Sequence, residues 1–208
     1  MRNAENVSSL LALKPNLLGF IFYKKSPRYV SEIPQIDIPK EIKKVGVFVN
    51  EEISEVLKKV HNFKLDYIQL HGNETPEYCI ELKKCHLERS RKIKSELHQI
   101  NIIKAFAVNE NFDFSSTQFY EECCDYFLFD TKADVHGGSG KKFNWKLLQN
   151  YSGSKPFLLS GGISNKDVSE IKNIIHPKFT GVDINSGFEI EPALKNIEKI
   201  KEFKQKLK

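Results

Sequence analysis

Apolar runs rich in β-branched and aromatic residues alternate along the chain with segments whose apolar residues recur every three or four positions. The runs predict strands and the segments between them predict helices. Seven strands are predicted, at residues 17–22, 45–49, 67–70, 102–107, 126–130, 156–159 and 180–184. Because these runs are apolar on both faces, they favour a parallel sheet covered by helices.

Helical patterns fill the intervals between the predicted strands. In residues 51–60, Ile53, Val56, Leu57 and Val60 recur at helical spacing. Thr75 and Pro76 supply a capping hydroxyl and a first-turn proline for a helix that the charged segment 85–100 extends. Further helices are predicted at 4–13, 165–175 and 192–206. The chain therefore repeats one β-α unit, with no linker between parts.

Two Gly-rich turns come directly after the last two predicted strands. The first contains Ser160, Gly161 and Gly162, and the second runs from Gly181 to Gly187. Glycine lets backbone N–H groups approach a ligand closely, and the start of the next helix favours an anion. Turns in these positions are typical of the phosphate-binding loops of a TIM barrel, although each alone could be an ordinary tight turn.

The position of these turns decides between two α/β architectures. A doubly wound sheet usually carries its phosphate loop after the first strand, whereas here the turns come last. The 208 residues are enough for one domain with a substantial core. A barrel should open on a strand, yet this chain opens on a helical pattern. We therefore predict a single α/β domain over residues 1–208, a TIM (β/α)8 barrel whose first β-strand is missing from this chain.

Charge and hydrophobic pattern argue against nucleic acid and a membrane as partners. The net charge of +5 comes largely from lysines spread over helical faces, and the dense basic stretch 83–94 has no interleaved aromatic residues, which argues against nucleic acid. No apolar run approaches the length of a membrane span, and the N-terminus lacks a signal-peptide pattern, so we expect a cytoplasmic protein. The four cysteines fit no zinc-binding spacing, and buried thiols are their simplest interpretation.

Several motifs resemble the phosphoribosylanthranilate isomerase family of tryptophan biosynthesis. The resemblance runs in order along nearly the whole chain. It is carried by Ser26-Pro27-Arg28-Tyr29, by Gln69-Leu70-His71-Gly72, by Phe129-Asp130-Thr131 with the glycines of 137–140, and by the two C-terminal turns. Indole-glycerol-phosphate synthase, another phosphosugar barrel, fits the first and third of these stretches less well.

The resemblance implies an Amadori rearrangement of N-(5-phosphoribosyl)anthranilate, an aldose-ketose isomerisation that uses no metal and no cofactor. It makes Asp130 the general acid, which requires a raised pKa. It makes Arg28 the group that grips the anthranilate carboxylate, as a guanidinium can at two points. The small-molecule phosphosugar substrate is the expected partner, and a monomer or homodimer is the expected assembly.

The same resemblance supplies further substrate-binding residues. Gly161 and Gly162 correspond to the phosphate loop, and Asp183, Asn185 and Ser186 lie in the second loop, where the family often has serine in place of Asn185. Gln69 and His71 end another strand, and Gly138 belongs to a loop expected to cover the substrate.

One departure concerns the start of the sequence. The family opens with a strand ending in Lys-x-Cys-Gly, whose cysteine is the general base. Met1 and the residues after it match the part of the family sequence that comes just after that motif. We therefore expect the 208 residues alone to be impaired in catalysis. The alternative is a non-catalytic barrel, or a degenerate copy, that binds a phosphate ligand.

Overall fold

In the part of the chain that the structure describes, seven parallel strands form one sheet in which each strand neighbours those before and after it along the chain. A computed structural model describes residues 1–92, 100–131 and 142–208. The strands are β1 (Leu17–Ile21), β2 (Lys43–Phe48), β3 (Tyr67–Leu70), β4 (Asn101–Val108), β5 (Tyr126–Thr131), β6 (Phe157–Leu159) and β7 (Phe179–Val182). This sequential parallel order is the order of a TIM barrel, with β1 and β7 at the two ends. The predicted fold is confirmed.

Helices connect the strands and cover one face of the sheet. The α-helices are α1 (Ala4–Leu11), α2 (Ile53–Phe63), α3 (Pro76–Lys92), α4 (Val168–Lys172) and α5 (Ile197–Leu207). The 3-10 segments are Phe114–Tyr120, Trp145–Asn150, Asn165–Asp167 and Ser186–Phe188. Among the described residues, no helix combines the length and apolarity that crossing a bilayer requires.

Successive side chains of a strand point to opposite faces of the sheet, so the core has two parts. The larger part joins outward strand residues, among them Phe20, Phe127 and Phe157, to helix residues such as Val56 and Ile200. The smaller part contains strand residues only: Val45, Ile103, Ala105 and Leu128 are buried there, with Leu17, Tyr67, Tyr126 and Leu158 packed around them. The second set therefore marks the inner face of the curled sheet.

The end of the chain differs from the prediction of a helix over 192–206. Residues Glu189–Glu191 and Leu194–Lys195 pair as a short antiparallel hairpin, β8 and β9, and the last helix begins only at Ile197. Pro192 lies in the hairpin turn, next to Ala193, whose φ is +74°. The side chain of Asn196 accepts a hydrogen bond from the backbone N–H of Lys199, so this residue caps the helix and fixes its start.

The helix predicted over 165–175 is also shorter than expected. It consists of the 3-10 turn Asn165–Asp167 and then the five residues of α4. Ser164 and Asp167 cap this turn reciprocally, because the side chain of each accepts a hydrogen bond from the backbone N–H of the other. The first Gly-rich turn therefore leads directly into a tightly capped segment.

Candidate active site

Polar side chains end three strands on the inner face of the sheet. Gln69, Asp130 and Ser160 each come two residues after a member of the inner core, namely Tyr67, Leu128 and Leu158. Since side chains two apart on a strand share a face, all three point inward at the carboxyl ends of β3, β5 and β6. This end of a barrel is where catalytic residues of TIM-barrel enzymes lie.

A chain of hydrogen bonds joins Gln69 to Asp130 through His71. The Nε2 of Gln69 lies 2.8 Å from Nδ1 of His71, and Nε2 of His71 lies 3.1 Å from Oδ2 of Asp130. With the amide of Gln69 donating, Nδ1 accepts and Nε2 carries the proton that His71 donates to the carboxylate. Gln69 is only 7% exposed, so its side chain holds the imidazole rather than facing solvent.

The other oxygen of Asp130 lies against the first Gly-rich turn. Oδ1 accepts a hydrogen bond of 2.8 Å from the backbone N–H of Thr131. A Cβ atom on Gly161 would stand 2.6 Å from this oxygen and 2.5 Å from the Thr131 nitrogen, and Gly161 has a φ of +90°. Only glycine fits this position, because it avoids both the contact and the strain of the left-handed backbone.

The two Gly-rich turns are adjacent in space. Gly162 continues the left-handed backbone with a φ of +67°. A Cβ on Gly187, in the second turn, would collide with the carbonyl oxygen of Ile163, just after the first turn. The first turn therefore contains two consecutive glycines with positive φ, a backbone conformation that other residues rarely adopt. Ser186, a predicted substrate-binding residue of the second turn, is exposed.

Asp183 contacts the first Gly-rich turn and interacts electrostatically with Asp130. The Ser160 hydroxyl donates a hydrogen bond of 3.2 Å to Oδ2 of Asp183, and the Asp183 N–H donates to the carbonyl of Leu159. Burial raises the pKa of the Asp183 carboxyl, and the negative charge of Asp130 raises it further. Asp130 is thus close enough to Asp183 for its charge to act on the Asp183 carboxyl.

Arg28 and Asn185 both belong to an ion-pair network centred on Glu189. Arg28 contacts one carboxylate oxygen of Glu189 at 2.6 and 2.8 Å, and Lys195 Nζ contacts the other at 3.2 Å. Lys195 also donates to the side-chain oxygen of Asn185 at 2.7 Å and to its backbone carbonyl. The Arg28 and Asn185 side chains are therefore oriented by residues that sequence reasoning did not identify.

Burial and neighbouring charges together shift the pKa values of Glu189 and Lys195. Although burial opposes its ionisation, the hydrogen bond from Arg28 and the charge of Lys195 hold the pKa of Glu189 below its usual value. Burial lowers the pKa of Lys195, and Glu189 opposes that change. A negatively charged Glu189 between two cations is the stable arrangement.

A second buried pair supports the loop that carries His71. Lys104 Nζ contacts Glu74 Oε2 at 3.1 Å, and the side chains of both residues are almost fully buried. The same ammonium donates to the carbonyls of Leu70 and Gly72, the residues on either side of His71. Glu74 in turn accepts from the backbone N–H groups of Gly72 and Asn50. In the sequence, this pair is signalled only by Lys104, a lysine inside an otherwise apolar strand.

Gly138 is the one predicted site residue that lies outside the described residues. The others are all described, and the structure brings Gln69, His71, Asp130, Gly161 and Asp183 into one connected group. Arg28, Asn185 and Ser186 lie around the network of Glu189 and the second turn.

Comparison with known proteins identifies the family. The family model described as N-(5'phosphoribosyl)anthranilate (PRA) isomerase matches residues 1–206. The N-(5'-phosphoribosyl)anthranilate isomerase of Parabacteroides distasonis is 46% identical over 212 aligned residues, covering 100% of this chain and 90% of the relative.

Comparison with solved structures points to the same family. The phosphoribosyl anthranilate isomerase of Thermotoga maritima has a TM-score of 0.80 and 32% identity, with 100% of this chain and 95% of that chain covered. A phosphoribosyl anthranilate isomerase solved with reduced 1-(o-carboxyphenylamino)-1-deoxyribulose 5-phosphate has a TM-score of 0.76 and 28% identity, covering 100% and 94%. The chain described here belongs to the phosphoribosylanthranilate isomerase family, the isomerases of tryptophan biosynthesis.

Proposed function

We propose that the residues around Asp130 isomerise N-(5-phosphoribosyl)anthranilate to 1-(2-carboxyphenylamino)-1-deoxyribulose 5-phosphate, in the cytoplasm and without a cofactor. Asp130 in its protonated form donates a proton to the ribose ring oxygen, the C1–O bond breaks, and the aniline nitrogen forms a Schiff base with C1. The developing carboxylate of Asp130 is stabilised by the N–H of His71, 3.1 Å away. Gln69 keeps His71 in the tautomer that can donate.

The second half of the reaction removes the proton from C2. The electron pair of the C2–H bond moves towards the Schiff-base nitrogen, and the resulting enol-amine becomes the ketone when C1 gains a proton and the C2 hydroxyl loses one. By family resemblance, the base is a cysteine on a strand that precedes the matched residues. Asp130 and this base then act at successive steps on neighbouring atoms of one bound sugar.

The substrate carries an anion at each end, and the site offers a cationic end and an amide-rich end. We assign the anthranilate carboxylate to Arg28, whose guanidinium Glu189 orients. We assign the phosphate to the turns containing Gly161, Gly162, Asn185 and Ser186. Because Lys195 engages the side chain of Asn185, this residue offers its backbone to the phosphate.

The middle of the substrate lies between these ends. Asp183 stands beside Ser160, between Asp130 and the second turn, and its raised pKa suits a carboxyl that exchanges hydrogen bonds with a sugar hydroxyl. Gly138 belongs to the loop that we expect to cover the sugar. The observation that carries the proposal is the His71–Asp130 contact directly beside Gly161.

Binding of the reduced product tests this assignment of the pocket. Calorimetric titration of the 208-residue chain with reduced 1-(o-carboxyphenylamino)-1-deoxyribulose 5-phosphate should show one site per chain, with inorganic phosphate competing. The Gly161→Val variant should lose this site, because its side chain would enter the space of Asp130 and Thr131. Unchanged binding by that variant, or binding that phosphate does not weaken, would show that the ligand sits elsewhere.

A further inference from the structure

Three of the four cysteines come together although they are distant in the sequence. Cys79 lies near the start of α3, and Cys123 and Cys124 lie in the turn before β5. All three side chains are buried, and their sulfur atoms lie within 4.8 Å of one another. The sulfurs of Cys123 and Cys124 are 4.0 Å apart. We propose that Cys79, Cys123 and Cys124 form a three-sulfur site for a soft metal ion, Cu(I).

The spacing of the sulfurs fits one shared ion. Three thiolates placed about 2.3 Å from a central metal, the usual metal–sulfur distance, lie about 4 Å from one another. Thiolate ligands select soft ions such as Cu(I) and Zn²⁺, and structural Zn²⁺ almost always takes four protein ligands. The described residues offer three, a number that suits trigonal Cu(I).

A positive charge lies near the cluster, because the Lys83 ammonium interacts electrostatically with Cys123. Metal binding would displace the three thiol protons to solvent and form three metal–sulfur bonds. The Lys83 ammonium offsets part of the resulting negative charge.

The cluster lies apart from the isomerase site. Cys79, Cys123 and Cys124 belong to the core between the sheet and the helices, whereas Asp130 points to the inner face. A bound ion would join α3 to the segment before β5. Because the site is buried, the ion would enter during folding and would stabilise the folded chain rather than take part in turnover.

Refolding with metal tests the site. The 208-residue chain is unfolded in urea under nitrogen with a phosphine reductant, refolded with one equivalent of Cu(I), and desalted against a Cu(I) chelator. We expect about one copper per chain, since one ion bridges three thiolates. X-ray absorption should find three sulfur neighbours at about 2.3 Å. Cys85, which is half-exposed on α3 and outside the cluster, provides the matched control variant Cys85→Ala.

The outcomes separate the site from adventitious binding. Cys85→Ala should retain the copper, whereas Cys79→Ala and Cys124→Ala should each retain at least tenfold less, since losing a ligand costs at least the roughly tenfold in affinity that losing a ligand's hydrogen-bond partner costs. Cu(I) should also raise the unfolding temperature of the parent. The assignment would be overturned if Cys85→Ala lost as much copper as the two cluster variants. It would also be overturned by fewer than three sulfur neighbours around copper in the loaded parent, or by preferential retention of Zn²⁺ in a parallel refolding.

Discussion

Glu189 holds Arg28 through a single carboxylate oxygen, which lies 2.8 Å from Nε and 2.6 Å from Nη2 of the guanidinium. This contact occupies one edge of the planar group and fixes its orientation. The edge formed by Nη1 and Nη2 is the one that a ligand carboxylate can meet. A preoriented guanidinium loses little conformational entropy when it binds, so it is well suited to recognise a planar acid.

Arg28→Ala should weaken binding of the reduced product roughly 10- to 100-fold, because a hydrogen bond to a charged group contributes about 1.5–3 kcal/mol. Binding of inorganic phosphate should hardly change. Arg28→Lys keeps a positive charge beside Glu189 and so controls for disruption of the network. It should still bind the reduced product more weakly than the parent, since an ammonium cannot make the two-point contact. Titration calorimetry with both ligands measures these effects.

Gly162→Leu should produce the opposite pattern at the other end of the pocket. A side chain on this left-handed residue strains the backbone and blocks the approach of phosphate to the turn. Inorganic phosphate and the reduced product should both bind more weakly, whereas anthranilate alone should bind as it does to the parent. If Gly162→Leu and Arg28→Ala weakened phosphate and anthranilate equally, the two ends of the pocket would be wrongly assigned.

Lys104→Met should lower the free energy of unfolding by about 3–5 kcal/mol, because it leaves the buried carboxylate of Glu74 without its cation. Urea denaturation monitored by circular dichroism measures the loss. The double variant Lys104→Met/Glu74→Gln removes the lone charge and should recover part of that loss. A double variant less stable than Lys104→Met would contradict the assignment of the cost to an unpaired charge.

Asp183 should make stability depend on pH with a definite sign. Burial and the nearby Asp130 raise its pKa in the folded state above the reference value of 3.8, so the folded chain binds more protons than the unfolded chain between these two values. Its contribution to stability is therefore present at low pH and is lost as the pH rises through the folded pKa. Each unit of pKa difference corresponds to about 1.4 kcal/mol.

Asp183→Asn cannot titrate and should gain stability relative to the parent as the pH rises from 4 to 7. Urea unfolding of both proteins at each pH and at constant salt measures the difference. A difference that stayed constant with pH, or that shrank towards pH 7, would show that the carboxyl of Asp183 is not held at a raised pKa.

The repeating pattern of the sequence predicts much of the fold and part of the site. Apolar runs predict all seven strands of the sheet to within about two residues, the usual uncertainty of element ends. Asp130 is identifiable because it ends such a run, and Gln69 through the resemblance of residues 69–72 to the family. The hairpin Glu189–Glu191 with Leu194–Lys195 is not, because its three- and two-residue strands are too short to show alternation.

Long-range pairing accounts for the contacts that the sequence does not reveal. Glu189 meets Arg28 across 161 residues, and Lys104 meets Glu74 across 30. Cys79 joins Cys123 and Cys124 only because α3 packs beside the segment before β5. No local spacing signals such contacts, since the order of strands around the sheet creates them.

Turnover by two aspartate variants tests the central claim most directly. Both are made in the chain preceded by the family's opening strand, which supplies the cysteine base, and each is assayed with N-(5-phosphoribosyl)anthranilate. Asp130→Asn should lower kcat by at least ~100-fold, the usual effect of removing one acid–base group, with binding of the reduced product retained. Asp183→Asn is the matched control, because it removes the carboxyl group near Asp130. This variant should raise KM more than it lowers kcat. Turnover by Asp130→Asn close to that of the parent, or equal loss of kcat in both variants, would contradict the assignment of Asp130 as the acid.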